Sequence, residues 1–243
     1  MVKGCPLNTH NKYTAFIFAR GGSKGIQNKN VKLFAGKPLL AWSIEAALST
    51  KKIKNVIVST DSEDIAAVAL KWGAKVPYLR PQELSTDFAS EIGAWKHAIA
   101  EYLKATGEMP QPFISIPTTS PLRVPSDILS CIAKFENTQS DIVVTVSEAR
   151  RNPWFNMLKL ENDGLMEIVN SNRDHFSRRQ DAPSVYDLAT VAYVADPNYI
   201  LKTDHILSGK VRAVIIPSLR CIDIDTPDDF ELAELIKINK LYL

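Results

Sequence analysis

At 243 residues the chain can bury a large core, and its 45% hydrophobic and 23% charged residues are those of an ordinary globular protein. A net charge of +2 gives no reason to expect a nucleic acid as a partner. The three cysteines lack Cys-x-x-Cys spacing, and no run approaches the ~18 apolar residues of a membrane span, so we expect a cytoplasmic protein with reduced thiols and no membrane partner.

The first predicted element is a buried strand over residues 15–18, which leads into a glycine-rich, basic loop. The glycines and basic residues of this loop are Gly21, Gly22, Gly25, Arg20, Lys24 and Lys29. Closely spaced glycines leave backbone N–H groups open to a polyanion, and the basic side chains add positive charge. The spacing is neither that of the Walker loop nor Gly-x-Gly-x-x-Gly. The loop indicates phosphate binding at a strand end; a solvated surface loop is the alternative.

Strands and helices alternate along the rest of the chain. Helices are predicted over residues 39–48, 62–72, 90–104 and 228–240, and strands over 56–60, 76–79, 113–116, 141–146, 190–194 and 211–216. This order predicts one α/β domain over residues 1–243, a doubly wound, mostly parallel sheet with helices on both faces. In such sheets ligands bind at the carboxyl ends of the strands, where the glycine-rich loop and Asp61 would both lie.

Residues 147–184 interrupt this alternation. The segment is polar and contains Pro153, the Asn162-Asp163-Gly164 turn and several arginines. We interpret it as an inserted β-hairpin arm. Its apolar residues Trp154, Phe155 and Met157 pack within the same chain or against another subunit.

Two acidic residues near the end of the chain form a candidate metal site. If residues 221–225 form a strand, Asp223 and Asp225 lie on one side of it, at a spacing suited to a Mg²⁺ ion that bridges a triphosphate. Thr226, Pro227 and the acids after them are typical of a helix start, so Asp228 and Asp229 are assigned to the helix. The same helix-start chemistry is the alternative for the whole cluster.

Two further polar segments are candidates for contacts with a nucleotide or a sugar. Residues 117–123 follow a strand and carry three hydroxyls and a guanidinium, although a Ser/Thr turn before a helix near Ser126 gives the same pattern. Arg178-Arg179-Gln180 offers guanidinium groups that match a carboxylate, with a solvated basic surface as the alternative.

In this order, these segments resemble the acylneuraminate cytidylyltransferase family, the CMP-sialic acid synthetases and their bacterial relatives that act on other nonulosonic acids. The matching residues are Ala19-Arg20, Ser23-Lys24-Gly25, Lys29-Asn30, 58–61, Leu79-Arg80-Pro81, Glu83-Leu84, Asp87, Ala89-Ser90, 119–123, Arg179-Gln180 and 222–226. A match in any one segment is weak evidence for the family, but the ordered set of matches is specific and covers nearly the whole chain.

The resemblance implies a nucleotidyltransferase that joins CTP to an acidic nine-carbon sugar and releases pyrophosphate, acting as a homodimer in which the arm reaches towards the partner's site. It implies catalytic roles for Arg20, Lys24, Lys29 and Asp223, and a Mg²⁺ ion on Asp223 and Asp225. It implies nucleotide contacts from Gly21, Gly22, Ser23, Gly25, Asn30, Asp61, Arg80 and Ala89. It implies sugar contacts from Thr119, Ser120, Arg123, Arg179 and Gln180.

Two departures from the family fall where its members border the acyl sugar. Pro117 stands where glutamine is common, and Ala189-Thr190 stands where Asn-Gly is common. The identity of the sugar substrate is therefore left undetermined by the sequence, and we expect a legionaminic- or pseudaminic-type acid at least as much as N-acetylneuraminate. The rival interpretations are a GT-A glycosyltransferase with Asp223-Ile224-Asp225 as its Asp-x-Asp motif, a Kdo-type cytidylyltransferase, and a non-catalytic nucleotide-binding protein of the same fold.

Overall fold

A computed structural model describes residues 13–22, 25–170 and 176–243. The strands are β1 (Tyr13–Phe18), β2 (Leu33–Phe34), β3 (Lys37–Pro38), β4 (Ile53–Ser59), β5 (Phe113–Ser115), β6 (Ile142–Glu148), β7 (Leu158–Leu160), β8 (Met166–Ile168), β9 (Tyr186–Ala195) and β10 (Val211–Ile215). The helices are α1 (Leu39–Leu48), α2 (Glu63–Lys71), α3 (Glu91–Thr106), α4 (Pro125–Glu136), α5 (Pro197–Lys202) and α6 (Pro227–Ile238). None of these described helices is both long and apolar enough to cross a membrane.

Six strands form the central sheet in the order β10-β6-β9-β5-β1-β4. Strand β1 is parallel to β4 and β5, and β10 is parallel to β6. Strand β9 lies between β5 and β6 and is antiparallel to both. Five strands therefore point the same way, which confirms the predicted mostly parallel sheet and places one opposing strand inside it.

Helices cover both faces of the sheet because successive side chains of a strand point to opposite faces. On β1, Ala15 and Ile17 pack in a core with α1, α2 and α4. Phe16, between them, packs on the other side with Trp95 and Ile99 of α3. All of these side chains are buried. The doubly wound arrangement predicted from the sequence follows from this alternation.

A third hydrophobic cluster lies at the carboxyl end of the sheet and joins segments that are far apart in sequence. It contains Ile26 from the glycine-rich loop, Leu122 from the segment after β5, and Ile224 from between the two acids. Phe230 and other residues of α6 complete it. Burial of these apolar side chains brings the three polar segments identified in the sequence to one place.

One predicted strand, and one considered only as a condition for the metal site, are absent from the described residues. In place of the strand predicted over 76–79, Lys75 and Leu79 make isolated bridges to Ile57 and Thr60. Residues 221–225 end a short 3₁₀ helix (Ser218–Cys221) and then run irregularly to the start of α6. The condition that would place Asp223 and Asp225 on one side of a strand is therefore not met. A backbone hydrogen bond from the Ile224 N–H to the Thr119 carbonyl (2.9 Å) holds the segment instead.

The predicted arm contains the expected hairpin, since β7 and β8 pair antiparallel within residues 147–184. Trp154 and Phe155 are half-buried within the chain, while Met157 is exposed. The hairpin itself carries an exposed apolar set: Leu158, Leu160, Leu165 and Met166.

The sugar contacts predicted for Arg123 and Ser120 do not fit the structure. Arg123 is 3% exposed. Its guanidinium donates hydrogen bonds to the Val191 carbonyl (2.8 Å), the Ser43 hydroxyl (2.6 Å), and the carbonyls of Thr190 (3.1 Å) and Pro117. Burial lowers the pKa of Arg123 to about 9, against the opposing effects of Asp127 and Asp223.

Ser120 is fully buried, and its hydroxyl shares a 2.7 Å hydrogen bond with the hydroxyl of Thr190. Ser120 and Arg123 therefore lie beneath the carboxyl end of the sheet and tie the segment after β5 to β9. The hydrogen-bond partners of this hydroxyl and this guanidinium belong to the protein and not to a sugar.

We predict that Arg123→Met lowers the free energy of unfolding by about 3–5 kcal/mol, because it leaves buried carbonyl groups without a donor. Urea denaturation followed by circular dichroism measures this change. Arg178→Met is the matched control: Arg178 pairs with Asp181 on the surface, so its loss should cost less than about 1 kcal/mol. A loss of similar size in both variants would contradict the structural role of Arg123.

Candidate active site

A cleft of about 550 Å³ opens at the carboxyl end of the sheet, between the glycine-rich loop, the segment after β5 and the start of α3. The predicted site residues that line it are Arg20, Gly25, Lys29, Asn30, Arg80, Ala89, Thr119, Asp223 and Asp225. The structure therefore brings together residues from five separate segments. Ser23 and Lys24 lie outside the described residues.

Asp61 contacts the glycine-rich loop and Arg80. Its carboxylate accepts a hydrogen bond from the Gly21 N–H (2.9 Å) and lies 4.0 Å from the guanidinium of Arg80. The Arg80 side chain is only 5% exposed, and burial lowers its pKa. Neither Asp61 nor Gly21 lines the cleft. The nucleotide contacts predicted for these two residues stay predictions, and their observed contact fixes the first turn of the glycine-rich loop.

Asn30 joins the glycine-rich loop to the end of β5. Its side-chain amide donates to the Arg20 carbonyl (3.0 Å), and its oxygen accepts a hydrogen bond from Thr118 (2.7 Å). Asn30 is 4% exposed and still borders the cleft. Its amide therefore fixes the backbone at Arg20, the residue that carries the first positive charge of the site.

Lys29 links the loop to the two acids. Its ammonium group donates to the Ile224 carbonyl (2.6 Å) and lies 3.7 Å from the carboxylate of Asp225. Gly25 approaches the same segment so closely that a Cβ at this position would overlap the Asp225 carbonyl oxygen. The glycine is required here for close backbone approach.

The two acids differ in their surroundings. The Asp225 side chain is 73% exposed beside Lys29. The Oδ1 atom of Asp223 is buried, and no described group offers it a hydrogen bond. A buried carboxylate oxygen without a donor is costly unless a cation or a ligand completes it.

The assignment of Asp228 and Asp229 to the helix start is supported by the geometry. Asp229 accepts hydrogen bonds from the N–H (2.8 Å) and the hydroxyl (2.7 Å) of Thr226, and these bonds lower the pKa of Asp229. Asp228 is exposed in the first turn of α6.

Glu91, the first residue of α3, lines the cleft and was missed in the sequence. The residue as a whole is exposed, while its carboxyl group is largely desolvated. This desolvation, together with the negative charge of Asp223, raises the pKa of Glu91 to about 7. An acid directly after the helix cap Ser90 is also typical of a helix start, so the sequence pattern does not indicate that Glu91 faces a cleft.

Arg179 and Gln180 are not in this cleft. They lie on the arm in a separate depression with Glu148, Asn152 and Tyr186. The Arg179 guanidinium donates to the Ala149 carbonyl. Within one chain the structure does not bring them to Arg20, and the sugar contacts predicted for them stay predictions.

Comparisons with known proteins agree with the sequence resemblance. The sequence model of the cytidylyltransferase family matches residues 14–242. The post-translational flagellin modification protein B of Campylobacter coli is 34% identical over 93% of this chain and 95% of that protein. From Campylobacter jejuni, a CMP-N,N'-diacetyllegionaminic acid synthase is 31% identical over 93% of this chain and 95% of its own length, and a pseudaminic acid cytidylyltransferase is 33% identical over 94% and 97%.

Among solved structures, a CMP:2-keto-3-deoxy-manno-octonic acid synthetase complexed with CTP superimposes with a TM-score of 0.69 at 13% identity, over 94% of this chain and 100% of that one. At this identity the likeness shows the fold alone, a mixed, mostly parallel sheet with flanking helices. The family model, which spans nearly the whole chain, and the identities above 30% decide the relationship. This chain belongs to the cytidylyltransferase family, as its resemblance to the acylneuraminate cytidylyltransferases predicted.

Proposed function

We propose that this protein uses CTP to activate a nonulosonic acid, forming a CMP-sugar and pyrophosphate. The observation that carries the proposal is one cleft lined both by the basic groups of Arg20 and Lys29 and by the carboxylates of Asp223 and Asp225. Basic groups suit a triphosphate, and paired carboxylates suit a divalent cation. The names of the relatives support the sugar class. Family membership favours this reaction over that of a GT-A glycosyltransferase.

In the proposed reaction the anomeric hydroxyl oxygen of the sugar forms a bond to the α-phosphorus of CTP. The bond between that phosphorus and the α,β-bridging oxygen breaks, and pyrophosphate leaves with the electron pair. We infer that Arg20 and Lys29 balance the charge that builds up on the leaving group, and Lys24 is predicted to share this role. The hydroxyl proton passes to a base of the cleft, for which Asp223 and Glu91 are the candidates.

We propose Asp223 and Asp225 as the residues that hold Mg²⁺. The unpartnered, buried Oδ1 of Asp223 fits this role. Among the described residues no group of three or more metal-ligating side chains is placed to hold an ion. This fits an ion that arrives with the nucleotide, because Mg²⁺ usually binds through one or two carboxylates plus waters and phosphate oxygens. A bound Mg²⁺ would neutralise phosphate charge.

The acidic sugar is proposed to lie beside the hydroxyls of Thr119 and Thr190. These hydroxyls are 3.1 Å apart and both residues line the cleft, as does Pro117. Two of these three residues, Pro117 and Thr190, are those at which the chain departs from the family pattern. We therefore propose that a legionaminic- or pseudaminic-type acid is the substrate, with N-acetylneuraminate and Kdo as the competing outcomes of the test below.

We also propose that the protein forms a homodimer through the arm. Leu160 and Met166 on the hairpin are 70% and 56% exposed. Arg179 and Gln180 lie on the same arm and outside the cleft of their own chain. A partner that covers the hairpin would bury the apolar set and bring the arm's polar residues towards a second cleft.

We predict that pyrophosphate is released only when CTP, Mg²⁺ and a nonulosonic acid are all present. A panel of N,N'-diacetyllegionaminic acid, pseudaminic acid, N-acetylneuraminic acid and Kdo, assayed by pyrophosphate release, identifies the sugar. Arg20→Ala should lower kcat by about 100-fold or more with an unchanged fold. Transfer from a pre-formed nucleotide sugar to an acceptor, without any reaction of CTP, would contradict the proposal.

We predict that Asp223→Asn weakens divalent-ion binding in the presence of CTP by about 10- to 100-fold. Titration of Mn²⁺ followed by electron paramagnetic resonance measures the bound ion directly, without turnover. Asp225→Asn should weaken binding as well, while Asp163→Asn, in the exposed turn of the arm, serves as the control and should leave it unchanged. Equal metal affinity in Asp223→Asn and the parent protein would show that Asp223 does not bind the ion.

We predict that the protein sediments at twice the 27.0 kDa of its chain, and that Leu160→Lys combined with Met166→Lys gives monomers. Two ammonium groups in the hairpin would have to be desolvated in an interface. Leu235→Lys, on the exposed side of α6, is the control and should leave the dimer intact. A parent protein that stays monomeric at micromolar concentration would exclude this interface.

A further inference from the structure

The guanidinium of Arg20 already has an acidic partner in the cleft. Its Nη1 atom lies 2.8 Å from the carboxylate of Asp87 and 3.4 Å from the Ser85 carbonyl, to which it donates. The two side chains of the ion pair are 33% and 30% exposed, so the pair is open to solvent and to a ligand. The free protein thus neutralises the charge that the proposed function directs at phosphate.

Asp87 lines the same cleft as Arg20. A triphosphate that reached Arg20 would meet the negative charge of Asp87 at short range, and like charges repel. The contact with Asp87 is made by Nη1, so a phosphate oxygen that takes this donor has to displace the carboxylate, although the guanidinium has five N–H donors in all. The carboxylate and the triphosphate therefore compete for one group.

The segment that carries Asp87 is a short turn outside the regular elements. Residues 85–90 lie between a short 3₁₀ helix (Gln82–Leu84) and α3, without a strand or helix of their own. Ser85 is fixed, because its hydroxyl accepts a hydrogen bond from Arg80 (3.0 Å) and donates to the Pro81 carbonyl (3.2 Å). Phe88, directly after Asp87, is 96% exposed. The Arg80 end is therefore anchored, while movement at Asp87 would disturb the turn bond from the Ala89 N–H to the Thr86 carbonyl (3.2 Å) rather than a helix or a sheet.

We propose that Asp87 is a positioning residue that holds Arg20 in the free enzyme, yields it to the incoming triphosphate, and takes it back when pyrophosphate leaves. This inference rests on the proposed function, with CTP as the nucleotide and Arg20 as a phosphate ligand. Asp87 lowers the affinity of the cleft for phosphate chains. The return of its carboxylate to Arg20 favours the release of pyrophosphate over its retention.

Affinity for CTP and for inorganic pyrophosphate, measured by isothermal titration calorimetry with Mg²⁺, tests this exchange. Asp87→Asn should bind both ligands about two- to fivefold more tightly, the range expected for release from a partly exposed ion pair. In an Arg20→Ala background the same substitution should give a clearly smaller gain in affinity, because competition for Arg20 is gone and only the direct repulsion between Asp87 and the phosphates is relieved. Asp204→Asn removes an exposed ion pair with Lys96 that lies outside the cleft and should change neither affinity.

A purely structural role of Asp87 gives the opposite sign, since a loosened segment would bind CTP more weakly and lower the Tm. Unchanged or weaker binding in Asp87→Asn, with binding impaired in Arg20→Ala, would overturn the exchange and leave the phosphate role of Arg20 intact. Unchanged CTP binding in Arg20→Ala would instead overturn the proposed role of Arg20 itself. If the Asn variant does not fold, Asp87→Ser removes the same charge and takes its place.

Discussion

The close approach of Gly25 to the backbone of Asp225 is the constraint on which the site depends. With no Cβ between them, the glycine-rich loop lies directly against the segment that carries the two acids. Lys29 reinforces the contact through the Ile224 carbonyl, and the buried Ile224 side chain anchors it from below. A positive loop and a negative segment from opposite ends of the chain are thereby held as two sides of one cleft.

Much of this arrangement is predictable from the sequence. A strand followed by glycines and basic residues, in an alternating α/β chain, places the loop at the carboxyl end of a parallel sheet. The same rule places the segment after β5 at this end of the sheet. The meeting of the loop with Asp223 and Asp225 followed from the family resemblance, and the structure supplies its physical cause in the third hydrophobic cluster.

The roles of individual polar side chains were harder to predict, because they depend on burial and on partners far away in sequence. Arg123 carries a motif that fits ligand binding, yet its donors are used by carbonyls of β9 and of its own segment. Glu91 occupies a position that helix capping explains equally well, yet it faces the cleft. A one-dimensional pattern gives the type of group at a position and leaves its direction undetermined.

The place of the arm in the topology has a consequence for how such enzymes diversify. The arm connects β6 and β9, which are adjacent antiparallel strands, so its two ends leave and re-enter the sheet side by side. Insertions, deletions or exchange of this connection leave the order of the other strands and the glycine-rich loop unchanged. Yet β9 runs from the arm to Thr190 at the cleft. A different arm can therefore be grafted between the ends of β6 and β9 while the order of the other strands is kept.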